Sequence, residues 1–206
     1  CIWKIKGENM EFSNELINVT REQLLSDLAT KIKPKRYQHV LRVEATAIEL
    51  AKQYGVDPEK ASIAALMHDY AKDYPEEEML ALAQKRWDEP TLKEANDNVW
   101  HGFAAATIAK DWYHIEDEDI LTAISAHTIG WTEMSPLVKV VFIADYMEPG
   151  RDFPGVKKAR KLAYKDINAA VTYKMVETIK HLASEEVAIF LPTIEFYNQW
   201  ILRRNV

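Results

Sequence analysis

The chain has 206 residues, 48% of them apolar, enough for one substantial core, and no shift in composition marks a domain boundary. A net charge of −6 disfavours a phosphate-tracking surface, so no nucleic-acid partner is expected. The lone cysteine, Cys1, excludes internal disulfides, thiolate metal clusters and cysteine redox motifs, and fits a reducing cytoplasm.

Residues 1–9 lack the apolar core and cleavage site of a signal peptide, and no apolar run is long enough to span a membrane, so no membrane partner is expected. Met10 reads as a natural start. Residues 1–20 are therefore expected to be an N-terminal extension, non-native or disordered in part, ahead of one domain over 21–206.

Val40, Val43, Ala47, Leu50 and Ala51 predict a helix from about Lys35 to Tyr54, stopped by Gly55. Asp57-Pro58 restarts it as N-cap and first helical residue, and the new helix is expected to reach about Ala71. A shorter helix follows from Pro75 to about Trp87. The next runs from Val99 to Tyr113, capped by Asp97 or Asn98. Asp117 opens a helix carrying Ile120, Leu121, Ile124 and His127. Ser135-Pro136 opens a very apolar one, Leu137 to Met147, ended by Pro149-Gly150. A long helix is expected from Lys157 to His181, and another from Ser184 to Trp200, interrupted near Pro192. No convincing alternating strand appears, so the predicted fold is all-α, with short connections around one core.

Polar residues on the inward faces of these helices carry the functional signal. His68-Asp69 ends the apolar run Ala61 to Met67. His39 lies four before Val43, His127 three after Ile124, and Asp145 four after Val141. Residues three and four apart share a helix face, so all of these point inward. His101 sits near the start of its helix. One histidine on an apolar stripe is usually a hydrogen-bonded core residue, and one aspartate can be a cap. Four histidines and two aspartates from five helices are different, because burying them without a cation leaves charges unpaired. Imidazole and carboxylate are suitable ligands for Fe, Mn, Co or Zn, with Mg as a harder alternative. His114 and His181 lie in polar or helix-end settings and read as surface residues. Trp3, Trp87, Trp112 and Trp200 read as packing residues.

The order His39, His68-Asp69, His101, His127, Asp145 resembles the HD-domain superfamily of metal-dependent phosphohydrolases. The segments Ala65 to Lys72, Ala126 to Gly130, Ile143 to Val156 and Leu191 to Asn198 narrow this. They resemble the YqeK-type symmetrical bis(5′-nucleosyl)-tetraphosphatases, with Glu148-Pro149-Gly150-Arg151 the most discriminating element. The resemblance covers roughly residues 30–200 and implies a single HD-domain helical bundle with additional C-terminal helices. It also implies hydrolysis of diadenosine tetraphosphate to two ADP, dependence on iron, and a homodimer in the bacterial cytoplasm.

Carried onto this chain, the resemblance gives His39, His68, Asp69 and Asp145 to a metal. His101 and His127 go to a second metal or the phosphates. Asp69, Lys72 and Arg151 take catalytic roles. Tyr70, Ala71, Lys72, Thr128, Arg151 and the segment Ala188, Ile189, Phe190, Leu191, Pro192, Thr193 are implied to bind a dinucleoside polyphosphate or ADP-like nucleotide. A solvated loop cation is the alternative for both Lys72 and Arg151, and from position alone Lys72 reads as one; the resemblance moves both toward function. Two alternatives stay open: an HD phosphohydrolase acting on mononucleotides, deoxynucleotides or cyclic dinucleotides, and a non-catalytic nucleotide-binding HD module.

Overall fold

A computed structural model describes residues 10–204, which form ten α-helices and one short 3-10 turn without a strand among them. The expectation for residues 1–9 lies outside the described residues. The helices are α1 (Arg21–Lys31), α2 (Pro34–Tyr54), α3 (Pro58–Met67), α4 (Glu76–Arg86), α5 (Asp97–Tyr113), α6 (Glu118–Ala126), α7 (Pro136–Met147), α8 (Val156–Lys165), α9 (Ile167–Ser184) and α10 (Leu191–Arg204).

Helix α3 explains the architecture. Ala61 to Met67 are all buried, so beyond its first turn no face of α3 meets water. A helix apolar all round belongs inside a core, and α3 packs against α2, α5, α6 and α7. Its alanines, with Ala104, Ala105 and Ala106 of α5, keep side chains short where helices meet. Helix α4 lies along α5, and α8, α9 and α10 follow one another on the far side of α7.

Local signals set the boundaries. Gly55 ends α2 at φ 67°, and Asp57, Asp117 and Ser135 cap α3, α6 and α7 with their side-chain oxygens.

Several expectations need correction. Helix α3 stops at Met67 instead of Ala71, where the chain enters tight turns with Tyr70 N–H bonded to the Met67 carbonyl and Lys72 N–H to that of Asp69. The α5 cap is Asn96, neither Asp97 nor Asn98. The long helix expected over 157–181 is broken at Asp166, whose carboxylate accepts from the N–H groups of Asn168 and Ala169 and starts α9. Pro192 does not interrupt a helix; it lies in the first turn of α10, where its missing N–H costs nothing. Helix α1, absent from the sequence reading, has a full capping box between Thr20 and Gln23. Ahead of it Ile17 is buried and Asn18 N–H bonds to the Tyr113 carbonyl, so part of segment 10–20 packs onto the core.

Candidate metal centre

Four imidazoles and two carboxylates meet at one end of the bundle. His39 comes from α2, His68 and Asp69 from the end of α3, His101 from the second turn of α5, His127 from the end of α6 and Asp145 from α7. His39, His68, Asp69, His101 and His127 are all buried.

Each ring is oriented by its Nδ1. His68 and His127 are the C-cap residues of α3 and α6, and their Nδ1 atoms lie 2.6 Å from the Ala65 carbonyl and 2.8 Å from the Ile124 carbonyl. These are last-turn carbonyls without a helical partner. His101 Nδ1 is 2.8 Å from the Asp97 carbonyl, and His39 Nδ1 is 3.0 Å from the Glu148 carboxylate. A carbonyl or an ionised carboxylate only accepts, so each of these nitrogens carries the proton. In the neutral rings Nε2 is left as a lone pair aimed inward.

Those lone pairs converge on Asp69. Its Oδ1 lies 3.1 Å from His101 Nε2 and 3.9 Å from His127 Nε2; its Oδ2 lies 3.5 Å from His68 Nε2 and 3.7 Å from His39 Nε2. Asp145 Oδ1 is 3.2 Å from His39 Nε2. Two overlapping triads, His39–His68–Asp69 and Asp69–His101–His127, have ligand atoms within 4.8 Å of one another.

The residues fit a bound cation on two counts. His39 Nε2 and His68 Nε2 are buried without a hydrogen-bond partner, an arrangement that costs free energy. His101 Nε2 and His127 Nε2 approach to 2.9 Å. Two lone pairs repel at that distance unless a proton or a metal lies between them. Burial, reinforced by His101 and His68, drives His127 well below the usual imidazole range, toward its neutral ligand form.

The carboxylates are held ionised. Burial works to raise Asp69, and His68 with His101, in their protonated forms, outweigh it, holding it well below the ordinary range. Burial is likewise overcome at Asp145 by the nearby His39 ring, Lys174 and Arg151, which hold it well below the ordinary range. Arg36 bonds Asp69 at 2.7 Å and Arg151 bonds Asp145 at 2.6 Å.

Gly102, beside His101, explains the contact of α5 with α6. A Cβ there would lie 2.9 Å from the Ser125 carbonyl oxygen and 3.1 Å from the His127 ring, so a larger residue would push the two histidines apart.

A cavity of about 340 Å³ opens onto this centre, lined among others by Arg36, Lys72, Thr128, Arg151 and Lys174. Of the sequence-expected nucleotide residues, Lys72, Thr128 and Arg151 reach it. Lys72 Nζ is held at 2.9 Å by both Asp97 and Asn98. The Thr128 hydroxyl lies 3.2 Å from His127 Nε2.

Other side chains on that list go elsewhere. Tyr70 is buried with its hydroxyl 2.8 Å from that of Tyr113, and Ala71 is buried in the core. In the segment Ala188, Ile189, Phe190, Leu191, Pro192, Thr193 none lines the cavity; Phe190 packs edge-on at 6.1 Å against Trp87, and Leu191 is exposed. Trp87, with Phe103, Trp131 and Phe196, forms an aromatic cluster under that segment.

Sequence reasoning missed four groups. Glu148 holds His39, is itself bound by Arg42 at 2.6 Å, and is held down at about 2 against its burial by His39 and Arg42. Arg36 and Arg42 lie three before and three after His39, on its helix face, a spacing that could have revealed them. Lys174, buried on α9, is pushed down to about 8 by burial; it donates to the carbonyls of His127 and Phe142 and lies 3.7 Å from Asp145.

An all-α bundle that gathers His, His-Asp and Asp ligands in this order defines a metal-dependent hydrolase of the HD type. The HD domain family model matches residues 36–150, and the chain belongs to that family. More particularly, it is 42% identical over 170 residues to the symmetrical bis(5′-nucleosyl)-tetraphosphatase of Halalkalibacterium halodurans, covering 82% of this chain and 91% of that one. It is 39% identical over 184 residues to the protein of the same name from Bacillus subtilis, covering 89% and 98%. A crystal structure from Clostridium acetobutylicum, described as a predicted HD superfamily hydrolase involved in NAD metabolism, superposes with TM-score 0.83 at 39% identity over 88% of this chain and 97% of that one.

Proposed function

We propose that this protein is a symmetrical bis(5′-nucleosyl)-tetraphosphatase, hydrolysing diadenosine tetraphosphate to two molecules of ADP. The convergence of inward Nε2 lone pairs on Asp69 carries the hydrolytic reading. The choice of tetraphosphate is supported by likeness, along nearly the whole length, to relatives of that name.

His39, His68, Asp69 and Asp145 would hold a divalent cation, iron by our reading, and His101 with His127 a second cation or the phosphates. When bound, such a cation lowers the pKa of water and polarises a phosphoryl oxygen. The chain's own residues do the rest. Asp69 and Asp145 supply negative charge at the centre, and Lys174 balances Asp145 from its buried side. Arg151 offers a two-pronged donor to a phosphate, and Lys72, pinned by Asp97 and Asn98, a fixed point charge. Water adds to an inner phosphorus, the central P–O–P bond breaks, and one ADP leaves as the other gains the hydroxyl. The attacked phosphorus is the second from one nucleoside, so the grip on that half sets the register.

Among the described residues no helix is long and apolar enough to cross a membrane. A homodimer in the cytoplasm completes the reading, and sedimentation tests the dimer.

Metal analysis of protein purified without added metal, followed by product chromatography, tests the proposal. Bound iron and release of ADP alone are expected. ATP plus AMP as products, or phosphate released from mononucleotides with the tetraphosphate left intact, would overturn it in favour of another HD phosphohydrolase.

A further inference from the structure

The metal-ligand cluster has two clefts beside it. Besides the cavity already described, a cleft of about 560 Å³ opens on the α2 side. Arg36 and Arg151 line both spaces; His39 lines the larger, while Asp69, His101, His127 and Asp145 line the smaller. The ligand cluster therefore lies at their junction.

The larger cleft carries more cations than carboxylates. Lys33, Lys35, Arg36, Arg42 and Arg151 line it, against three carboxylates. Two of those meet cations of the cleft, Glu148 at Arg42 and Asp73 at Lys33, whose N–H it accepts at 2.9 Å and whose Nζ lies 3.4 Å away, while Arg36 and Arg151 reach inward to Asp69 and Asp145. Lys33 and Lys35 are exposed at the cleft. Helix α2 begins beside it without a side-chain cap, so its first N–H groups add positive potential. Phe153 also lines the cleft, 4.9 Å from Tyr146, and supplies an aromatic face. Cations for phosphates beside an aromatic surface for a base are what a nucleotide requires.

A symmetrical cut divides the substrate into two equal halves. An enzyme that cuts at the midpoint must accommodate both, one on each side of the metal-ligand cluster. We propose, resting on the function assigned above, that the α2-side cleft is a second nucleoside-diphosphate subsite. Lys33, Lys35, Arg36 and Arg42 receive the phosphates of the distal half, and Phe153 receives its base. The first half occupies the cavity of Lys72 and Thr128, with Arg36 and Arg151 between the halves.

The test is the double charge reversal Lys33→Glu/Lys35→Glu in the metal-loaded, full-length enzyme, with ADP as the calorimetric probe and diadenosine tetraphosphate as substrate. Wild type is expected to bind two ADP per chain. The double variant should keep one and lose the other, with KM for the tetraphosphate raised roughly tenfold or more. Phe153→Ala, which leaves the charges in place, should weaken the second ADP by roughly fivefold or more. Unaltered ADP stoichiometry and KM in the double variant, in an enzyme whose wild type releases ADP, would overturn the subsite alone. A wild type that leaves the tetraphosphate intact overturns the function, and the subsite with it.

Discussion

Helices α2 and α3 carry two buried polar clusters, a turn and a half apart. At one position Glu44, fully buried, is gripped by Arg21 through two bonds of 2.7 Å, and the Ser62 hydroxyl donates to it at 2.6 Å. Five residues earlier on α2 and six later on α3 stand His39 and His68. The Glu44 cluster is closed: one anion, one cation, two-pronged geometry and a hydroxyl on the carboxylate. The histidine cluster is open, with acceptor nitrogens facing one another and two of them without partners. Both cost desolvation, but only the first recovers that cost from the chain itself. Closure marks a polar cluster as part of the scaffold, whereas convergence of like groups marks one that is completed from outside.

The largest expected effect breaks the open cluster. Asp69 belongs to both ligand triads, so Asp69→Ala should remove bound metal and hydrolysis together while far-UV circular dichroism stays helical. Unchanged metal content would overturn the ligand assignment. The mirror experiment is Glu44→Ala, which strands the Arg21 guanidinium in the core. Loss of one partner of a buried pair costs about 3–5 kcal/mol, read as a lower denaturation midpoint. Metal content per folded molecule should not move. If it falls in step with stability, the two clusters are one unit and the comparison fails.

Much of this contrast was legible before any coordinates. His68, His127 and Asp145 sit at helical intervals from apolar neighbours, and the fold buries the two histidines and half-buries the aspartate. What periodicity could not supply is the partner across space. Glu148, three residues beyond Asp145, stands out in the sequence only as part of the Glu148-Pro149-Gly150-Arg151 element; only the fold sets it against His39 on α2. Lys174 looks like a surface lysine of α9 until α7 and the His127 carbonyl are seen to enclose it. In the fold, the missed features were those where a local cap outweighed apolar pattern. Asp166 splits an otherwise continuous amphipathic stretch, and the Thr20–Gln23 capping box starts a helix of little apolar contrast. The nucleotide segment near Phe190 came from resemblance alone, and here its aromatic side chain packs against Trp87.

Two smaller changes sharpen the comparison by acting on neighbours of each cluster. Glu148→Gln keeps the shape of the group that orients His39 but removes its charge, which both the ring and Arg42 face. Metal affinity should fall roughly 10–100-fold, as expected when a ligand histidine loses its carboxylate, with little change in the unfolding midpoint of metal-free protein. A competition titration against a chelator measures it, and unchanged affinity would show that the α2 backbone alone orients His39.

Ser62→Ala is the corresponding change in the closed cluster. It removes one of three donors to Glu44 while both bonds from Arg21 remain. The expected loss is about 1 kcal/mol, the net worth of a single intramolecular hydrogen bond. Chemical denaturation resolves a change of that size if the denaturant slope stays constant. A loss several times larger would mean that the Arg21–Glu44 pair depends on the hydroxyl for its geometry. The cluster would then be nearly as sensitive to one missing neighbour as the metal centre, and closure would no longer separate scaffold from site.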